Sequence, residues 1–177
     1  MRREEVKPRI AFARNIARKL IADLKIENPP ILIKDVVSHL KKTHSLSIYP
    51  RVFRDDVDGI QITKGESSVI GYNQIQHSHR KRFTIAHEIG HLLMGHTHEG
   101  PIDLYSDKSE NVEANQFAAE LLMPLQMLKK DFQNGNKEAG LLAKRYFVSE
   151  EAMWWRLLDC KFLRKIKGTG AGVINDY

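Results

Sequence analysis

The stretch FTIAHEIGHLLMGHTHEG, from Phe83 to Gly100, contains four of the eight histidines of this chain. His87 and His91 are four positions apart, so one turn of an α-helix brings both imidazoles to the same face. Glu88 follows His87 directly and therefore lies about 100° further around the helix. The pattern H-E-x-x-H thus offers two nitrogen ligands to one metal ion and keeps a carboxylate beside them.

The carboxylate decides whether such a metal site is structural or catalytic. A divalent ion lowers the pKa of water, and a neighbouring carboxylate can take the released proton. Apolar residues flank the motif on both sides, which would shield the ligands from bulk solvent. We therefore predict a catalytic metal site with His87 and His91 as ligands and Glu88 as general base.

A catalytic zinc site also needs a third protein ligand. His98 comes seven residues after His91, one position too late for the three-histidine pattern H-E-x-x-H-x-x-G-x-x-H. His96 comes five residues after His91 and leaves the ligand face if the helix continues. Spacing therefore favours neither histidine, and the third ligand is sought outside the quoted stretch.

Acidic residues on the next predicted helix are the alternative source of a third ligand. Glu110, Glu113 and Glu120 share one helical stripe, beside apolar residues that must face the core. Glu110 suits a solvated helix start, where the helix dipole favours an acid. Spacing separates Glu113 from Glu120 only slightly, so it leaves the choice between them open.

Two blocks of sequence, RFTIAHEIGHLLMGH from Arg82 and EANQFAAELLMP from Glu113, resemble the ImmA/IrrE family of zinc metallopeptidases. The resemblance implies that His87, His91 and Glu113 hold the metal and that Glu88 is the base. It also implies a zincin-like, thermolysin-like arrangement of metal helix, small sheet and glutamate-bearing helix. Family members in bacteria or mobile elements cleave a helix-turn-helix repressor, which turns on stress or transfer genes.

The periodicity predicts an α+β fold that is mostly helical, with a small antiparallel sheet of about three strands. We expect one metallopeptidase domain over residues 1–167 and a flexible tail over residues 168–177. The expected elements are a first helix over 9–24, strands over 46–53, 59–63 and 68–72, the H-E-x-x-H helix over 78–95, the glutamate helix over 110–123, and a helical pair over 137–163.

Composition indicates the cellular compartment of the protein and the kinds of partner that it can bind. Cys160 is the only cysteine of the 177 residues, so no internal disulfide can form, which fits a reducing cytoplasm. No apolar stretch has the length of a membrane span. The net charge is +6, but the basic residues are spread along the chain, and the arginines of the first helix are read as its solvent-facing side. The helical pair resembles a helix-turn-helix, yet Trp154 and Trp155 favour packing over direct DNA binding.

The loop after the predicted H-E-x-x-H helix contains two further candidate site residues. His98 and Tyr105 belong to a loop that could border the cleft, where either could stabilise an oxyanion. Zn²⁺ is the expected ion, and Mn²⁺ can use the same ligands. A metal-stabilised regulator that binds a transcription factor without cutting it is the alternative to a peptidase. Substrate identity, activation and oligomeric state do not follow from the sequence.

Overall fold

The computed structural model of the chain describes residues 7–53, 57–96, 108–165 and 172–174. His98 and Tyr105 lie outside these residues. The described elements, in chain order, are α1 (Ile10–Asp23), α2 (Ile33–Leu40), β1 (Ser45–Arg51), β2 (Gly59–Lys64), β3 (Ser67–Asn73), α3 (Ser78–Met94), α4 (Lys108–Leu122), α5 (Leu125–Gln133), α6 (Ala139–Tyr146), α7 (Glu150–Asp159), β4 (Leu163–Lys165) and β5 (Gly172–Ile174).

The expected α+β fold is confirmed, with helices dominating around a three-stranded sheet. The sheet is mixed rather than wholly antiparallel, because its spatial order is β1-β3-β2. The chain reverses at each connection, but β3 inserts between β1 and β2. As a result β2 and β3 form an antiparallel hairpin, whereas β1 and β3 run parallel. Periodicity alone predicts strands and does not predict their spatial order.

Helix α3 is the central element of the fold and packs against both the sheet and α4. It ends at Gly95, whose φ of 72° is the left-handed conformation that commonly terminates helices. A side chain at Gly90 would have its Cβ 3.0 Å from Phe117 Cδ1, so the absence of one lets α3 and α4 approach closely. Helix α4 therefore presents its side chains directly to the metal-binding motif.

Helix α1 packs along α4 through small buried residues, including Ala13 and Ala17. Its arginines do not form a purely solvent-facing side, because their long side chains cross to polar groups on the neighbouring helix. The hydrogen-bonded pairs are Arg9–Glu113, Arg14–Gln116 and Arg18–Glu120.

The C-terminal helices close the other side of α4. The Ser149 hydroxyl accepts a hydrogen bond of 3.1 Å from the Ala152 amide and thereby caps α7. Beyond α7, β4 and β5 pair antiparallel, so residues 172–174 of the predicted tail form a strand. The single domain remains a prediction. Within the described residues, no helix combines the length and apolar character needed to cross a membrane.

Candidate metal centre

His87 and His91 converge as their spacing predicts. Their Nε2 atoms are 3.0 Å apart. Two ligands that each lie about 2.0–2.1 Å from a tetrahedral zinc ion are separated by about 3.3 Å. His91 is buried, and His87 is half-buried. The two rings are thus close to the separation at which both can bind one ion.

Asn115 of α4 fixes the orientation of the His87 ring. Its Oδ1 lies 2.9 Å from His87 Nδ1. An amide oxygen only accepts, so Nδ1 carries the proton and Nε2 keeps its lone pair. Burial lowers the pKa of His87, although hydrogen bonds to Asn115 and Asn111 act in the opposite direction. The neutral ring that results is the form that binds metals.

A series of hydrogen-bonding contacts leads from His91 through His96 to Glu113. The left-handed turn at Gly95 folds the backbone back, and the His96 amide donates to the His91 carbonyl at 2.9 Å. This turn brings His96 Nδ1 to 3.3 Å from His91 Nδ1. His96 Nε2 in turn lies 3.0 Å from Glu113 Oε2. His96 is therefore buried beside the metal-binding motif and not displaced from it.

Glu113 is held by Arg9 from the start of α1. The backbone amide of Arg9 donates to Glu113 Oε1 at 2.6 Å, and its guanidinium donates to Oε2 at 2.8 Å. Hydrogen bonding from the Arg9 side chain lowers the pKa of Glu113 to about 2, with His96 contributing in the same direction. The carboxylate is ionised, 3% exposed, and bonded to both Arg9 and His96.

A potential set of metal ligands comprises His91, His96 and Glu110, whose ligand atoms lie within 4.8 Å of one another. Glu110 is in the first turn of α4. Sequence reasoning ranked His96 and Glu110 below Glu113, because it judged His96 as if the helix continued to that residue and placed Glu110 in solvent. Gly95 is the signal that identifies His96, since a helix stop at that position returns the next residue towards His91.

Glu88 lies on the covered side of α3, where the first residue of β2 packs against it. A Cβ on Gly59 would lie 3.1 Å from Glu88 Oε1 and 2.4 Å from Thr84 Cγ2. Burial, followed by the charge of Asp58, raises the pKa of Glu88 to about 8. A nearby cation lowers a carboxyl pKa, so metal binding and ionisation of Glu88 are coupled. A carboxyl group with a pKa near neutrality is suited to proton transfer.

Comparison with solved structures identifies a similar fold. A Mycobacterium tuberculosis transcriptional regulator superposes with a TM-score of 0.64 at 15% identity, covering 83% of this chain and 46% of that chain. The present chain thus spans less than half the length of that regulator, and the similarity concerns the fold alone. No curated protein sequence matches the chain significantly.

A family profile matches residues 43–158, about two-thirds of the chain. The family is Peptidase_M78, described as the IrrE N-terminal-like domain, and the matched segment includes the whole of α3 and α4. Its extent agrees with the ImmA/IrrE resemblance of the two motif blocks. The chain belongs to the IrrE N-terminal-like peptidase family.

Proposed function

We propose that the protein is a zinc-dependent endopeptidase of the ImmA/IrrE type. The observation that carries the proposal is the position of Glu88, a buried carboxyl group that follows His87 directly on α3, the helix whose two imidazoles converge at their Nε2 atoms. A purely structural metal site has no need of such a group. The family match supports a peptidase independently of this geometry.

The side chains present fit a divalent metal. His87 and His91 offer two converging imidazole nitrogens, and Glu110 of α4 groups with His91 and His96. Imidazole with carboxylate suits Zn²⁺, and Mn²⁺ is the alternative. Bound zinc would supply Lewis acidity, which acidifies water and polarises a peptide carbonyl.

Other residues of the chain would transfer the proton and orient the histidine ligands. Glu88 accepts the proton of the attacking water and then delivers it to the leaving amine. Asn115 keeps the His87 ring in the tautomer that leaves Nε2 available. The apolar surroundings of α3 limit access of bulk water, which strengthens electrostatic interactions at the site.

Two carboxylates of α4 are proposed for the third ligand position. The family resemblance implies Glu113, which would have to exchange Arg9 for the metal. Glu110 is the alternative, and its grouping with His91 and His96 supports it. Zinc content of the purified variants Glu110→Gln and Glu113→Gln distinguishes them, because loss of the true ligand should remove stoichiometric zinc. Glu27→Gln, an exposed residue in the loop after α1, is the control.

The proposed substrate is a cytoplasmic helix-turn-helix repressor, whose cleavage would relieve repression in a stress response or a mobile element. Support comes from the family match alone. The test mixes zinc-loaded protein with the small repressor encoded next to its gene. A discrete fragment supports the peptidase, whereas a stable complex without a fragment supports the non-catalytic regulator.

The role of Glu88 is tested by Glu88→Gln. The variant should retain zinc and the melting temperature of the wild type, because the amide is isosteric and burial favours the uncharged form. Cleavage should fall by about 10²–10⁴-fold, the usual contribution of a general base. Full cleavage by a zinc-loaded variant would remove Glu88 from this role.

A further inference from the structure

An open groove of about 780 Å³ lies beside the metal centre, between α3, α4 and α7. We call it the α7 groove. Its floor is formed by Asn115 and Ala119 of α4 and by Met123, the residue after α4, and its walls include Phe83 of α3 and Trp155 of α7. The lining is predominantly apolar. Its size falls within the range of specific ligand sites.

The α7 groove borders the metal centre at Asn115, on the Nδ1 side of the His87 ring, and His87, His91 and Glu113 do not line it. Asn115 lines one end of the groove and also holds His87 Nδ1 at 2.9 Å. Asn115 and Met123 are eight residues apart along α4 and the residue that follows it, which corresponds to about 12 Å along the helix axis. An extended peptide advances about 3.3 Å per residue, so the floor accommodates three to four residues.

The α7 wall presents an aromatic side chain to this space. Trp155 is 57% exposed, although α7 otherwise packs firmly through Met153 and Leu157. Large, partly exposed aromatic residues at the edge of an apolar groove are typical anchors in peptide and protein recognition. The wall is therefore suited to a bulky apolar side chain of the bound segment.

The rim of the groove is negatively charged at Glu151, one helical turn before Trp155. Arg80, across the groove, is already ion-paired with Asp58 at 2.6 Å. In the described part of the chain, no salt bridge includes Glu151. Glu151 attracts Arg80 through space but forms no direct salt bridge with it, so its carboxylate favours a lysine or arginine on the bound segment.

We infer that the α7 groove binds three to four residues of the protein substrate on the Asn115 side of the metal centre, with a bulky apolar residue against Trp155 and a basic residue at Glu151. This inference rests on the proposed peptidase function and adds its sequence preference. It identifies Glu151 and Trp155 as specificity residues, which contact the substrate away from the reacting atoms.

The test uses the zinc-loaded full chain and a library of peptides prepared by digesting a bacterial proteome, with cleavage sites read by mass spectrometry. Wild-type sites should be enriched in a large apolar residue and a nearby Lys or Arg. Glu151→Lys should shift the preference from basic to acidic residues by up to about fivefold, the scale of an exposed ion pair. Trp155→Ala should weaken the apolar preference.

Glu150→Lys is the matched control, because it makes the same charge change in the same helical turn but does not line the groove. Its cleavage profile should match the wild type. Identical profiles for Glu151→Lys and the wild type would overturn the inference.

A binding measurement separates this inference from the peptidase proposal. The library is passed over immobilised Glu88→Gln protein, and retained peptides are sequenced. Retained peptides should be enriched in a bulky apolar residue and in Lys or Arg. Adding Glu151→Lys to the Glu88→Gln protein should abolish the enrichment in Lys and Arg. If the wild type cuts no peptide but this selection succeeds, the peptidase proposal fails and the groove assignment stands. Retention without any residue preference rejects the groove.

Discussion

Two buried glutamates on α4, Glu113 and Glu120, occupy closely similar settings. They are seven residues apart on one helical stripe, and both are nearly inaccessible to solvent. Each is paired with an arginine of α1, Arg9 for Glu113 and Arg18 for Glu120. Sequence spacing could not separate them, because residue type, helix face and arginine partner are alike.

The two glutamates differ in their other neighbour. Glu113 reaches the imidazole of His96, which lies beside the metal-binding motif. Glu120 reaches the guanidinium of Arg156, which is buried and also donates to the Met123 carbonyl. An imidazole can lose its proton or bind a metal, whereas a guanidinium remains a cation. One end of the stripe thus contacts a histidine beside the candidate metal site, and the other end forms a structural ion pair.

The largest expected effect comes from Glu120→Ala. Removing this carboxylate leaves Arg156 charged and buried, which costs about 3–5 kcal/mol in comparable buried pairs. Urea unfolding at neutral pH should show this loss while the folded fraction still binds zinc. The double variant Glu120→Leu/Arg156→Met should recover most of the stability. A loss below about 1 kcal/mol would show that the ion pair is not structurally important.

Glu113→Gln is expected to weaken zinc binding, in contrast to Glu120→Ala, which is expected to lower stability. Loss of its charge should raise the dissociation constant for zinc at least tenfold, because it either ligates the metal or orients a neighbouring histidine. Glu120→Gln is the matched control and should bind zinc as the wild type does. Isothermal titration with Zn²⁺ measures both constants. Equal affinities in the two variants would remove the distinction between the two ends of α4.

Acid should destabilise the protein through both glutamates. Burial raises the pKa of Glu120, but the charge of Arg156 and the Arg18 hydrogen bond outweigh burial and hold it below the usual value. The pKa of Glu113 is lowered to about 2. Unfolded glutamates titrate near about 4.3. Stabilisation is therefore complete above that pH and is lost as the pH falls towards 2.

Urea unfolding at several values between pH 6 and pH 3 measures this loss. The variant Glu120→Gln lacks one titrating group, so its stability should fall less steeply with acid than that of the wild type. Parallel curves for the two proteins would contradict the assignment.

The smallest expected change in stability is that of a variant at the N-terminus of α7, the helix that contains Arg156. Ser149→Ala removes the side-chain cap of α7 and should lower the unfolding free energy by about 1 kcal/mol. Zinc affinity should not change, because the cap hydrogen bond joins Ser149 to Ala152 and involves no candidate metal ligand. Ser38→Ala, at an exposed position within α2, is the control. A change in zinc affinity without a loss of stability would link α7 to the metal centre.

Local sequence was sufficient for the elements that bear the motif. The expected helix over 78–95 corresponds to Ser78–Met94, because its apolar period and the stop at Gly95 are encoded within one segment. The convergence of His87 and His91 follows from helical spacing alone. The mostly helical α+β class followed from the same periodicities.

Features that depend on distant contacts could not be predicted in this way. Arg9 and Glu113 are 104 positions apart, so nothing in either neighbourhood indicates their pairing. The parallel pairing of β1 with β3 depends on spatial order, which periodicity does not encode. His96 was within reach of sequence reasoning, but only by combining the helix stop at Gly95 with the backbone reversal that follows it.

The arginines of α1 have a consequence for the limits of the domain. The family match begins at residue 43, after α1 has ended. Yet Arg9 and Arg18 neutralise two carboxylates buried within the matched segment. The segment that matches the family, residues 43–158, therefore does not contain all the cations that pair with its buried carboxylates. A segment transplanted from residue 43 onwards would need a substitute cation for Glu113, whereas Glu120 would keep Arg156.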